Sequence, residues 1–248
     1  MLDSVIKRLP EGSDVSKKSP ELITDDKGAN IFLNDSASVK VAFVYDGAGY
    51  KNSLGYFTTT DLSTLTSSNA TDSIIFSNFS SSPDGALKLG DSFDLGLFSK
   101  GSIIGFTLVS NGWKNGMVDP TSPIFRTVKA LNPESKATNA HTVLLSDATS
   151  GLLLLGIEDL NRDKCSANDY GYCSDNDFND AVIGICVDPA SAISNINDIP
   201  TLEPPKPSPG VSGPANWREI NEPITENDSI KTQKANERAA ANAAKSQP

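Results

Sequence analysis

The sequence is nearly without histidine, the residue on which many catalytic sites depend. His141 is its only one, so a zinc centre built on two histidines is excluded. No G-x-S-x-G nucleophile elbow accompanies it. A single histidine just before an apolar run is more often structural, and we expect that of His141. These absences predict a protein that is not an enzyme.

Basic residues are also scarce. The chain of 248 residues has 21 Lys and Arg against 31 Asp and Glu, a formal net charge of −10. Nucleic acids and anionic membranes both attract basic surfaces, so neither is an expected partner. No run of about 18 apolar residues occurs, and therefore no membrane span is predicted.

A signal peptide and a rich cysteine framework are missing as well. Residues 1–12 have no basic start, unbroken apolar core or small-residue cleavage site, which leaves a cytosolic protein or a mature chain whose signal was removed. Of three cysteines, Cys165 and Cys173 are close together in an acidic stretch. They form either a short disulfide in an oxidising compartment or two unpaired thiols.

Carboxylates, in contrast, are concentrated in residues 156–185. The apolar runs 152–155 and 181–187 enter and leave this stretch and read as core strands. Crowded carboxylates repel one another unless a cation lies among them, and hard oxygen ligands favour calcium. The alternative is a solvated acidic loop. The stretch contains seven acids: Glu158, Asp159, Asp163, Asp169, Asp175, Asp177 and Asp180.

The D-x-D-x-x-D spacing of Asp175, Asp177 and Asp180 resembles half of an EF-hand loop. The sixth and twelfth positions would require Gly and Glu, but they are Asp180 and Cys186. We therefore predict a calcium site held by a β-scaffold, not an EF-hand. The predicted direct ligands are Glu158, Asp159, Asp175, Asp177 and Asp180, with Asp163, Asn179 and Asp46 as weaker candidates.

The hydrophobic pattern predicts an all-β fold. About eight short apolar or alternating segments, separated by turn residues, indicate an antiparallel β-sandwich of jelly-roll-like type. We divide the chain into an N-terminal helix over 2–9 with a lead-in to residue 24, a calcium-binding sandwich over 25–190, a Pro-rich linker over 191–210 and a disordered or marginally helical tail over 211–248.

Four blocks resemble a known family: VAFVYDGAGYKNSLGYF (41–57), IIGFTLVSNGWKNG (103–116), the 132–141 region, and LLLLGIEDLNRD with SDNDFNDAVIGI (152–163 and 174–185). Over about residues 30–188 the chain resembles secreted bacterial domains called domain of unknown function 4114, which also occur in large adhesins. The resemblance implies a calcium-linked β-sandwich and an extracellular or periplasmic setting. The insert 164–173, which contains the cysteine pair, departs from the family pattern and makes the disulfide more attractive.

These features lead us to expect a calcium-stabilised extracellular binding or adhesion module. Its ligand would be a glycan, a peptide or a matrix component, contacted by Tyr50, Asn52 and Trp113. One alternative is a structural secreted protein in which calcium only rigidifies the fold. A less favoured alternative is a polysaccharide hydrolase with paired carboxylates.

Overall fold

The computed structural model describes residues 7–23, 29–70, 72–147, 150–163 and 174–202. Its strands are β1 (Ile31–Phe32), β2 (Ala37–Tyr45), β3 (Ser53–Thr59), β4 (Ser73–Phe76), β5 (Ser92–Phe98), β6 (Ile103–Val109), β7 (Trp113–Lys114), β8 (Met117–Val118), β9 (Ile124–Arg126), β10 (Thr142–Asp147), β11 (Leu152–Ile157), β12 (Ala181–Asp188) and β13 (Thr201–Leu202). The helices are α1 (Val15–Lys18) and 3-10 turns at Pro20–Leu22, Leu62–Thr64, Lys129–Leu131, Ala190–Ala192 and Ile196–Asp198.

Two sheets form the body of the protein. One has five strands, ordered β1-β6-β3-β4 with β9 also on β6, and the other has six, ordered β13-β10-β11-β12-β2-β5. All of their pairings are antiparallel except β10 with β13. The predicted antiparallel β-sandwich is confirmed, and the apolar runs 152–155 and 181–187 are strands as expected.

The main core lies between the sheets. It joins Ile104 and Phe106 of the five-stranded sheet to Val41, Leu155 and Ile183 of the six-stranded sheet. Burial of these side chains is the main favourable contribution to the stability of the sandwich, at about 25 cal/mol per Å² of apolar area.

The N-terminal segment, residues 7–23, covers the outer face of the six-stranded sheet. Leu9, Val15 and Leu22 form a second core with sheet residues that include Val143 and Leu154. Strands β10 to β12 are therefore apolar on both faces, which explains why they read as nearly continuous hydrophobic runs.

The helix predicted over residues 2–9 can be compared with the structure only at its end, where it is consistent with the structure. Residues 1–6 lie outside the described ranges, Lys7 and Arg8 are helical, and a separate helix, α1, follows. Within the described part of the chain, no helix has the length and apolar character needed to cross a membrane.

Packed structure continues beyond residue 190, the predicted end of the sandwich. Ala192, Ile193 and Ile199 belong to the main core, and Leu202 belongs to the second one. The 3-10 turns Ala190–Ala192 and Ile196–Asp198 space the apolar residues of 191–202 irregularly. The hydrophobic pattern of this segment therefore does not alternate as that of a strand does. The rest of the predicted linker and the tail, residues 203–248, lie outside the described ranges.

Gly105 provides a test of packing in the five-stranded sheet. It lies opposite Phe57, and an added Cβ would come within 2.7 Å of Phe57 Cε1 and of Asn30 Oδ1, both in buried side chains. We expect Gly105→Ala to lower the free energy of unfolding by about 1–3 kcal/mol through overpacking. Gly184→Ala is the matched control, because its Cβ would meet nothing closer than 3.5 Å. Urea denaturation of both variants measures the difference, and equal stabilities would contradict this packing.

Candidate cation site

The pairing of β11 with β12 creates the acidic site. Ile157, the last residue of β11, pairs with Ala181, the first residue of β12. Glu158 and Asp159 directly follow one strand and Asp180 directly precedes the other, so the three side chains meet at the same end of the sheet. One carboxylate oxygen from each lies within 4.8 Å of the others.

Two of these carboxylates are almost completely removed from solvent. Glu158 is 1% exposed and Asp159 is 3% exposed, whereas Asp180 is half-buried. Glu158 Oε2 is buried and accepts no hydrogen bond from an N–H or hydroxyl of the described residues, and the Glu158 and Asp180 carboxyl groups hydrogen-bond to each other only by sharing a proton. A buried carboxylate oxygen without a partner costs several kcal/mol unless the group is neutralised. The site therefore needs a proton or a cation.

The three carboxyl groups of this site hold their protons to a higher pH than free carboxylic acids do. Burial, together with the charges of Asp180 and Asp159, raises the pKa of Glu158 well above its ordinary value. Burial raises the pKa of Asp159 to about 6 and that of Asp180 to about 7. Each group loses its hydration shell and faces like charges at short range. Without a counter-cation, the cluster holds protons near neutral pH.

Hydrogen bonds from neighbouring polar groups hold the carboxylates of the cluster in place. The Asp159 backbone N–H donates to Asp180 Oδ2 at 2.9 Å, and Asn52 Nδ2 donates to Asp159 Oδ2 at 2.7 Å. Asp46 lies close enough for its charge to raise the pKa of Asp159. Its Oδ2 accepts from the Ser81 backbone at 3.0 Å, and the Ala48 backbone also hydrogen-bonds to the Asp46 carboxylate. Asp46 is therefore a fourth carboxylate beside the cluster.

Asp175 and Asp177 form a separate group with Glu11, a residue that the sequence did not suggest. Asp177 is buried, but its oxygens are satisfied, because Oδ2 accepts from the Gly12 backbone at 2.8 Å and Oδ1 from the Asn179 backbone at 3.1 Å. Burial raises its pKa to about 7. The predicted set of five ligands is therefore divided between two places, and Asp177 fastens the N-terminal segment to the loop before β12.

Asn179 takes part in the same contact between the N-terminal segment and the loop before β12. Its Nδ2 donates to Leu9 O at 3.1 Å and to Asp177 Oδ2 at 3.0 Å, and its carbonyl accepts from the Gly47 backbone. The side chain is almost fully buried. Asn179 thus connects the N-terminal segment, the loop after β2 and the cluster residue that follows it in sequence.

Arg162 holds the two halves of the acidic stretch together. It donates to Ala140 O at 2.6 Å and to Asn176 Oδ1 at 2.7 Å, and its guanidinium lies 5.0 Å from the centre of the Phe178 ring. Asn176 and Phe178 both have positive φ, 60° and 58°, which is unfavourable for such residues and requires firm support from their surroundings. The cation of Arg162 also offsets part of the negative charge around Glu158.

His141 is a structural residue, as expected. It is fully buried and stacks on Phe125, with ring centres 3.8 Å apart. Its Nδ1 donates to Glu158 O at 2.9 Å, and its Nε2 lies 2.9 Å from Glu134 Oε1. These contacts hold the backbone of Glu158 in place. Nothing in the sequence pattern pointed to Glu134 as the partner.

The remaining predicted residues differ in their surroundings. Asp163 is exposed and binds Ser135 and Thr138, and these contacts lower its pKa. Tyr50 and Trp113 are half-buried, whereas Asn52 is fully buried and contacts the cluster instead of a surface ligand. Cys165 and Cys173 lie outside the described residues, so the disulfide stays a prediction.

Comparison with known proteins gives one match. Residues 98–188 match a family model described as "Domain of unknown function (DUF4114)". The resemblance to that family is confirmed over this part of the chain, while the predicted extent, about residues 30–188, is larger than the match. The matched segment runs from the end of β5 to the end of β12 and contains Glu158, Asp159 and Asp180, while Asp46 and Asn52 precede it. No curated protein and no solved structure matched the chain.

Gly47 tests how closely the loop after β2 packs on the site. A Cβ on Gly47 would lie 2.9 Å from Asn179 O and still closer to Asn179 Oδ1. We expect Gly47→Ala to displace Asn179 and to destabilise the fold by about 1–3 kcal/mol. Gly49→Ala is the control, since no atom lies within 4 Å of its added Cβ. Thermal denaturation compares them, and a Gly47→Ala protein as stable as Gly49→Ala would argue against this contact.

Proposed function

We propose that this protein is a calcium-stabilised binding module of the extracellular or periplasmic space of bacteria. The observation that carries the proposal is the cluster of Glu158, Asp159 and Asp180, in which the Glu158 carboxylate is almost fully buried and its Oε2 accepts no hydrogen bond from an N–H or hydroxyl of the described ranges. The proposed location rests on the resemblance to secreted DUF4114 domains.

The chemistry of the donor set supports calcium. All of the candidate ligands are carboxylate oxygens, which hard cations prefer, and they include no nitrogen or sulfur donor. Glu158, Asp159 and Asp180 would bind the ion directly, and backbone carbonyls and water would supply the rest of six to eight oxygens. The half-buried Asp180 leaves a way in from solvent.

Calcium bound here would stabilise the native fold. The ligands come from the ends of two adjacent central strands, so they assemble only when β11 and β12 pair. A ligand that binds only the folded state adds stability in proportion to the logarithm of its concentration. A 100-fold excess over the dissociation constant contributes about 2.7 kcal/mol.

The partner of the module is proposed to be a glycan, a peptide or a matrix component. Trp113 and Tyr50, both partly exposed, are the aromatic residues available for such contacts. A structural protein that calcium only rigidifies is the second candidate, because the site lies at the ends of two central strands of the sheet that the N-terminal segment covers. Glycan-array binding that a chelator abolishes would separate the two. A hydrolase is less favoured, since Glu158 and Asp159 are too buried to reach a sugar.

Calcium dependence is the direct test of the proposal. We expect calcium to raise the melting temperature by several degrees over the value in chelator, since each kcal/mol shifts a domain of this size by about 2–4 °C. Asp180→Asn removes one charge and keeps an oxygen that can accept from the Asp159 backbone. This variant should melt at or above the wild-type temperature in chelator and lose most of the calcium shift.

Asp35→Asn is the control for that experiment. Asp35 is exposed and bonds only the adjacent Ser36 backbone among the contacts described. Its calcium shift should equal that of the wild type. A wild-type protein whose melting temperature is the same in calcium and in chelator would rule out the site.

The pH dependence of the calcium-free protein gives a further test. The pKa values of Asp159 and Asp180 rise on folding from 3.8 to about 6 and about 7. Acids with a raised native pKa stabilise the fold while protonated, so stability should fall as pH rises from about 4 to about 8. Saturating calcium should remove the part of this fall that Asp159 and Asp180 cause, because it replaces their protons, whereas the part due to Asp177 should remain. Melting curves across this range, with Asp180→Asn for comparison, measure the effect, and a calcium-free stability that rises with pH would contradict it.

A further inference from the structure

Asn52 lies between the acidic cluster and a surface hairpin, and it bonds to both. Its Nδ2 donates to Asp159 Oδ2 at 2.7 Å, and its Oδ1 accepts from the Asn111 backbone at 2.9 Å. The side chain is fully buried. A single planar amide therefore connects a candidate cation ligand to the segment that follows β6.

The backbone of Asn52 is held independently of these two bonds. Its carbonyl accepts from the Phe79 backbone at 2.7 Å, and the next residue, Ser53, pairs with Val109 of β6 and donates its hydroxyl to Ser77 O at 2.6 Å. The main chain at this point belongs to the sheet. A change in the position of Asp159 is therefore transmitted by the amide group of Asn52, not by its backbone.

The segment that receives the second bond is the Trp113 hairpin, residues 111–119. Its strands β7 and β8 are joined by Asn115 and Gly116, with φ values of 53° and 82°, a two-residue turn of the type that suits a tight hairpin. The Trp113 backbone donates to Lys51 O at 2.8 Å. The hairpin is thus fastened to residues 51 and 52, and it carries Trp113 and the exposed Met117 to the surface.

We propose that Asn52 is a positioning residue that couples occupancy of the cation site to the position of the Trp113 hairpin. A cation bound by Asp159 holds its carboxylate in a fixed place, and Asn52 Nδ2 donates to that same carboxylate. The amide of Asn52 is then fixed in the orientation in which Oδ1 accepts from Asn111. The ligand-binding surface is ordered only when the site is filled. This inference rests on the proposed calcium site.

Tryptophan fluorescence tests the coupling. The chain contains two tryptophans, Trp113 and Trp217, so Trp217→Phe leaves Trp113 as the only reporter. Calcium should change the emission of Trp113 in this protein, with the same midpoint as the heat of calcium binding measured by calorimetry. Asn52→Leu should still bind calcium, about 10–100-fold more weakly, as is typical when a group supporting a metal ligand is lost. At saturating calcium its Trp113 response should be absent.

Asn195→Leu is the matched control. Asn195 is also a buried amide with two backbone bonds, to Phe32 N and Asn30 O. It should lose stability and keep the full Trp113 response. A calorimetric signal without any change of Trp113 emission overturns the coupling but leaves the calcium site standing. A full response in Asn52→Leu overturns it as well. If calcium gives no heat at all, the calcium site itself fails, and the coupling with it.

Hydrogen exchange on the unsubstituted protein covers the case in which Asn52→Leu does not fold. Calcium should slow exchange of the Asn111 and Trp113 amides by about threefold or more, since both bond to residues 51 and 52. The Thr127 amide, which donates to Phe106 O within the five-stranded sheet, is the reference and should change less. Equal changes at all three positions would overturn the coupling.

Discussion

The register between β11 and β12 is the constraint on which the site depends. Pairing Ile157 with Ala181 leaves Glu158, Asp159 and Asp180 side by side where the strands end. A shift of one residue would turn every side chain of a strand to the opposite face, and side chains of different size would then exchange places between two closely packed cores. The hydrophobic core therefore fixes the geometry of a cluster of mutually repelling charges.

The N-terminal segment depends on the same arrangement. It reaches the outer face of the sheet through Leu9 and Val15, and polar contacts to Asp177, Asn179 and Asn176 fasten it to the loop before β12. Apolar packing and a loop that is rich in acids thus cooperate in one contact. A cation that reduces the electrostatic repulsion between the carboxylates of this loop would also favour docking of the N-terminal segment.

Local pattern was enough to predict the sandwich and the main acidic residues. The runs 152–155 and 181–187 are strands, and their ends place Glu158, Asp159 and Asp180 together. Sequence spacing alone did not show that Asp175 and Asp177 form their own group with Glu11, because the left-handed residues Asn176 and Phe178 turn the loop. The charge of Asp175 still raises the pKa of Asp159 and of Asp180. Glu11 and Asn52 were not predictable as neighbours of the acids, since they are distant in sequence and only the tertiary fold brings them close.

The difference between Glu158 and Asp177 shows why burial alone does not identify a site. Both side chains are 1% exposed, yet Asp177 accepts hydrogen bonds from Gly12 and Asn179, which compensate part of its burial, although its pKa is still raised to about 7. Glu158 Oε2 accepts no such N–H bond among the described residues, although His141 holds the Glu158 backbone in place. A fold that buries a carboxyl group among like charges, without an N–H donor for Oε2 among the described residues, favours a proton or a cation at this place. For this reason we propose the cation at Glu158, at the end of β11, in preference to the more conspicuous D-x-D sequence that follows it.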